Sequence, residues 1–131
     1  MQRVHDFLKA AETYYLATVE GDQPRVRPFG TVNIFENKLY IQTGRGKAVN
    51  DQITANGKVE LCAMKGDEWI RLSGTLVLDD RVEAGEAMLD AYPGLRHMYT
   101  TGENGNSVVY YFKDAIAVIS SFGKAAEEIR F

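Results

Sequence analysis

Two β-prone runs, residues 58–64 and 68–78, flank the short turn Lys65-Gly66-Asp67, and the second alternates apolar and polar residues. Alternation has the period of a pleated strand, whose successive side chains point to opposite faces. Ile70, Leu72, Leu76 and Leu78 are predicted to point to a core. Trp69, Arg71, Ser73 and Thr75 then share the opposite face, open to a ligand or a second subunit. The same punctuation recurs along the chain. Residues 14–20 and 25–35 flank Gly21-Asp22-Gln23-Pro24, residues 39–43 follow Glu36-Asn37-Lys38, and residues 107–112 and 116–122 read as a final hairpin.

Helical spacing interrupts these hairpins. Val4, Phe7, Leu8 and Ala11 predict an opening helix, and Val49 and Ile53 one buried side of a helix over residues 46–56. Asp80 with Glu83 resembles a capping box for a third helix carrying Ala84, Ala87, Met88 and Ala91, ended by Pro93-Gly94. Residues 95–99 add a helical turn. Strands in consecutive hairpins with inserted helices predict a small antiparallel barrel rather than a parallel α/β sheet. The apolar run Val108-Val109-Tyr110-Tyr111-Phe112 needs cover on both faces, from the barrel interior and from a second subunit.

At 131 residues with 45% hydrophobic content, one domain over residues 1–131 with a single core is expected. Fifteen basic and 18 acidic residues give net −3, which weighs against a nucleic-acid partner. The single cysteine, Cys62, permits no intrachain disulfide, and no apolar stretch has signal or transmembrane length. A cytoplasmic protein without membrane contact is the expectation.

Two segments carry candidate chemistry. Thr43-Gly44-Arg45-Gly46-Lys47 places a hydroxyl, two glycines and two cations at a strand-to-helix junction, where free N–H groups and the helix dipole suit a phosphate. A solvated loop is the plain alternative. Arg25 and Arg27 share a strand face beside Phe29, and Pro28, lacking an N–H, predicts a bulge or an edge there. Backbone groups freed at such an edge suit the donor–acceptor rim of a flavin, although surface arginines on an ordinary edge strand fit the same pattern. Trp69 and Arg71 are second candidates for ligand contact. His5 and His97 have no ligand-spaced partners, so no metal site is expected, and Ser120-Ser121 lacks a nucleophile-elbow pattern. Glu83, Glu86 and Asp90 read as a solvated helix face.

Taken in order, Pro24-Arg25-Val26-Arg27-Pro28-Phe29, Leu39-Tyr40-Ile41-Gln42-Thr43 with Lys47, Val59-Glu60-Leu61-Cys62 and Trp69-Ile70-Arg71-Leu72-Ser73-Gly74 resemble the pyridoxamine 5′-phosphate oxidase-like family of FMN-binding split barrels, in its short single-domain form. The closing residues 116–122 and Ile129-Arg130-Phe131 resemble that family's ending. The resemblance implies a six-stranded antiparallel split β-barrel, a homodimer with FMN at its interface, and hydride or electron transfer through the flavin. It implies that Arg27, Pro28 and Phe29 flank the flavin ring and that Thr43 and Lys47 bind its phosphate. Arg25 and Arg45 are further cofactor candidates, and Trp69 and Arg71 face the site from near the interface. The extended C-terminal segment of the oxidases proper, with its arginine and histidine substrate contacts, is absent here, which weighs against vitamin B6 oxidation.

Two functions therefore stand at this point, besides a plain structural barrel dimer. One is an FMN-dependent oxidoreductase that accepts electrons from a nicotinamide or passes them to a small reducible substrate. The other is a non-catalytic module that binds, stores or senses a flavin, a deazaflavin or haem.

Overall fold

A computed structural model describes residues 1–131, and it forms one antiparallel sheet wrapped around a single main core, with helices at its margins. The elements run α1 (Gln2–Ala11), β1 (Tyr14–Glu20), β2 (Gln23–Phe29), β3 (Asn33–Phe35), β4 (Lys38–Gly44), α2 (Ala48–Ala55), β5 (Lys58–Lys65), β6 (Glu68–Asp79), α3 (Val82–Ala91), a 3₁₀ turn (Pro93–His97), β7 (Ser107–Ser121) and β8 (Glu127–Arg130). Eight strands replace the six expected. The strand order is β2-β1-β5-β6-β7-β4-β3, with β8 beside the second half of β7. Its two ends, β2 and β3, are not bonded to each other, so the barrel is split there.

The predicted α1 buries Val4, Phe7 and Leu8 of the four residues its spacing singles out, and Ala11 is partly buried against the core. They join Leu16, Leu39, Ile41, Leu61, Ile70 and Leu72 in the main core. A smaller cluster of Tyr40, Ala84, Met88 and Val109 lies under α3. Pro28 sits on an edge strand, as its missing N–H requires, paired with Tyr15 of β1.

Four local expectations need correction. The run over residues 25–35 is two strands, because the chain turns inward between them to bury Val32. The final hairpin is instead one 15-residue strand, β7, which stays paired with β6 on both sides of Lys113-Asp114-Ala115. Asp114 absorbs the irregularity at φ 53°, opposite a register shift between Ser73 and Thr75. Gly74 lies in that shift because a β-carbon there would meet the Lys113 carbonyl oxygen at 3.1 Å and Phe112 at 3.2 Å. Leu78 is 55% exposed, since β6 has run past the core by that point. The capping box does not form: α3 is capped from Arg81 without a side-chain bond, and Asp79 accepts the Arg81 backbone N–H instead.

Candidate functional site

The split at the free edge of β2 opens a cleft of about 470 Å³. Arg27, Pro28 and Phe29 form one wall, Gln42 and Thr43 the end of β4, and Lys47, Ala48 and Val49 the start of α2. Tyr92, Leu95, Met98 and Tyr99, from the 3₁₀ turn and its flanks, close the far side. Three segments distant in sequence thus meet where the sheet leaves its ladder open.

The polarity of the cleft is one-sided. It is lined by two cations and by no carboxylate. Arg27 donates from Nη1 to the Leu16 carbonyl oxygen at 3.1 Å and to Thr18 Oγ1 at 2.8 Å, and from Nη2 to Gln52 Oε1. All three acceptors are neutral, so the guanidinium is held without its charge being cancelled. A guanidinium has five N–H donors, and two remain for a ligand. Partial burial lowers the Arg27 pKa, which marks an arginine drawn out of water. Arg25, two residues away, contrasts with it. Its guanidinium grips Glu20 at 2.9 Å, and that contact holds the Glu20 carboxyl below its usual range.

Lys47 is the N-cap of α2, with extended backbone and no side-chain capping bond, and the first turn of the helix, Ala48 and Val49, lines the cleft beside it. Asn50 fixes this turn by donating to the Gly44 carbonyl oxygen at 2.8 Å. A β-carbon on Gly44 would sit 3.5 Å from Lys47 Cε and 3.4 Å from the Tyr99 ring, which places both side chains over the end of β4.

Gln42 is 6% exposed, and neither Nε2 nor Oε1 of its amide has a hydrogen-bond partner. An unpaired buried polar group costs about 1–3 kcal/mol, and native structures hold few of them. Its backbone N–H, by contrast, is satisfied by Thr31 Oγ1 at 3.1 Å.

Of the residues singled out in the sequence, Arg27, Pro28, Phe29, Thr43 and Lys47 come together in this cleft. Arg45 turns to a neighbouring cleft of about 340 Å³ beyond the β4–α2 turn, where its Nε donates to the Gly105 carbonyl oxygen at 2.8 Å. Arg25 lies outside on the edge strand. Trp69 packs on Phe122 with ring centroids 5.2 Å apart, and Arg71 is exposed beside Cys62 on the outer sheet face. Tyr92, Leu95, Met98 and Tyr99 are cleft residues that the sequence did not mark, and Gln42 lies in a marked segment that assigned it no role. No group of three or more His, Cys, Asp or Glu side chains is placed to hold a metal ion, and no helix is long and apolar enough to cross a membrane.

Comparison with known proteins agrees with this fold. Residues 1–106 match the family described as pyridoxamine 5′-phosphate oxidase. A NimC/NimA family protein from Clostridium acetobutylicum is 42% identical and superposes with a TM-score of 0.95 over 100% of this chain and 92% of its own. A pyridoxamine 5′-phosphate oxidase-related, FMN-binding protein from Nostoc punctiforme, 17% identical, superposes at 0.63 over 97% and 90% of the two chains. A haem-binding protein from Mycobacterium smegmatis, 11% identical, superposes at 0.69 over 96% of this chain and 57% of its own. No curated protein sequence matches the chain. With its split antiparallel barrel, its cleft at the split and a family match over most of its length, the chain belongs to the pyridoxamine 5′-phosphate oxidase family.

Proposed function

We propose that the cleft binds FMN and that the protein is a flavin-dependent oxidoreductase. The observation that carries this reading is the pair of uncompensated cations, Arg27 and Lys47, in a cleft without carboxylates. Such a site favours an anion, and Thr43, Lys47 and the start of α2 offer the donors that a phosphate monoester takes. Pro28, Phe29, Leu95 and Met98 supply apolar surface for a flat ring beside that anion. The FMN-binding relative supports the choice of flavin. Bound flavin supplies hydride or electron transfer. The residues of this chain bind and orient it: Lys47 and Thr43 hold the phosphate, Arg27 presents its two free N–H groups, and Tyr92 and Tyr99 limit the entry of water.

A homodimer completes the reading. The outer sheet face carries Tyr15 at 53%, Val26 at 68% and Met64 at 60% exposure, beside Pro28 at the cleft rim. A second copy would cover this apolar face and bring its own Trp69 and Arg71 toward the cleft, which they do not reach within one chain.

The test is an absorption spectrum of the purified protein, then titration with FMN and anaerobic addition of NADH or NADPH. Flavin bands that bleach on addition of the nicotinamide support the oxidoreductase. Flavin that binds but stays oxidised points to another electron donor or to a binding role, and no FMN binding removes the proposal.

A further inference from the structure

The turn that carries Lys47 is held from behind by side chains that do not line the first cleft. Tyr110, 4% exposed on β7, donates its hydroxyl to Asn50 Oδ1 at 2.7 Å. Asn50 Nδ2 donates to the Gly44 carbonyl oxygen at 2.8 Å and to the Lys47 carbonyl oxygen at 3.2 Å. One amide thus spans the turn from the last residue of β4 to the N-cap of α2. Its orientation is forced, because the reversed amide would set Oδ1 against two carbonyl oxygens that only accept. Tyr110 is the donor that Oδ1 needs in this orientation, and no other group supplies one. Packing does not hold the turn: a β-carbon on Gly46, at φ 84°, would meet nothing within 4 Å. Both Asn50 and Tyr110 line the neighbouring cleft and are absent from the walls of the first.

We propose that Tyr110 is a positioning residue, which acts through Asn50 to hold Lys47 in register with Thr43 so that both meet one anion. This rests on the anion site proposed above, and neither Tyr110 nor Asn50 touches the ligand. Thr43 is fixed independently, in the β4 ladder opposite Val108. Loosening the turn therefore moves Lys47 relative to Thr43 and weakens the hold on a phosphate. The apolar surface of Pro28, Phe29 and Leu95 belongs to β2 and the 3₁₀ turn and stays in place.

The experiment titrates the wild-type protein, Tyr110→Phe, Asn50→Ala, their double variant and Lys47→Ala with FMN, which carries the phosphate, and with riboflavin, which lacks it. Tyr110→Phe removes the hydroxyl and keeps the ring in the core. It is expected to weaken FMN about threefold to tenfold and to leave riboflavin unchanged. Asn50→Ala should weaken FMN at least as much, and the double variant no more than Asn50→Ala, since Tyr110 then has nothing to act through. Parallel losses for FMN and riboflavin in Tyr110→Phe overturn the inference, because the hydroxyl would then support the barrel as a whole. Additive losses in the double variant overturn it as well, since Tyr110 would then act apart from Asn50. Unchanged FMN affinity in Tyr110→Phe, with Lys47→Ala still weakening FMN, shows that the turn holds itself. In that case the inference falls and the anion reading stands. If the wild type binds FMN no better than riboflavin, both fall.

Discussion

Arg27 Nη1 donates to the buried hydroxyl of Thr18 at 2.8 Å, so the charge that faces the cleft is held by a neutral group. Gln52, 6% exposed on α2, is the second neutral holder, and it also donates to Glu20 Oε2 at 3.4 Å. Glu20, the carboxylate that Gln52 reaches, is itself engaged by Arg25 at 2.9 Å, and no carboxylate lines the cleft.

Gln52→Glu would place a carboxylate directly against Arg27. The expected result is roughly tenfold weaker FMN binding, about 1.4 kcal/mol, in a protein that remains folded. Flavin fluorescence titration measures it, and an undiminished affinity would show that the charge of Arg27 does not contribute.

Lys47→Ala removes an exposed cation from the N-cap of α2. One charge-assisted contact is worth about 1.5–3 kcal/mol, so FMN affinity should fall about ten- to a hundredfold. Chemical denaturation of the ligand-free protein should change little, because the side chain is exposed and makes no hydrogen bond that caps the helix. Unchanged FMN affinity would remove Lys47 from the site.

Asp79 is one of the carboxyls held below their usual range. Bonds from Arg81, and another from Tyr40 at 2.7 Å, hold its carboxyl down from 3.8 to about 2. A folded-state pKa below the unfolded one stabilises the protein above pH ~4 and ceases to do so as pH falls through about 2. Urea unfolding at pH 5, 3 and 2 should show this loss, and Asp79→Asn should flatten that limb. An equally steep acid limb in the variant would assign the effect elsewhere.

Gly105→Ala tests the loop that Arg45 grips. A β-carbon there would overlap the Thr100 carbonyl oxygen and lie 2.6 Å from that of Thr101, so backbone must move. The expected loss is about 1–3 kcal/mol, read as a lower melting temperature. A melting temperature equal to wild type would mean that the loop relaxes freely.

Tyr15→Glu puts a charge in the middle of the exposed apolar sheet face. Light scattering should give twice 14.6 kDa for the wild type and the single-chain mass for the variant. A monomeric wild type would sink the homodimer proposal.

The local parts of this fold were legible. Spacing marked α1, and the turn Lys65-Gly66-Asp67 marked the β5–β6 hairpin, because both depend on neighbours in sequence. β7 was misread as a hairpin because Lys113-Asp114 resembles a turn, and only pairing with β6 carries the strand through it. The cleft divides the same way. Thr43 and Lys47 stood out as one short motif, whereas Tyr92 and Tyr99 reach the cleft from across the sheet. Arg25 and Arg27 look equivalent in sequence. Their difference lies in Glu20 for one and in Thr18 and Gln52 for the other, partners set by register and by the packing of α2.

The open margin of β2 holds two prolines, Pro24 and Pro28, in one seven-residue strand. Residues two apart along a strand direct their N–H groups to the same side, and proline is accepted on an edge with its missing N–H outward. Between these two, only Val26 has an outward N–H to offer an incoming strand. A foreign β-segment would therefore find too few donors to extend the sheet. The geometry that leaves the barrel split for a ligand also protects its open edge from aggregation.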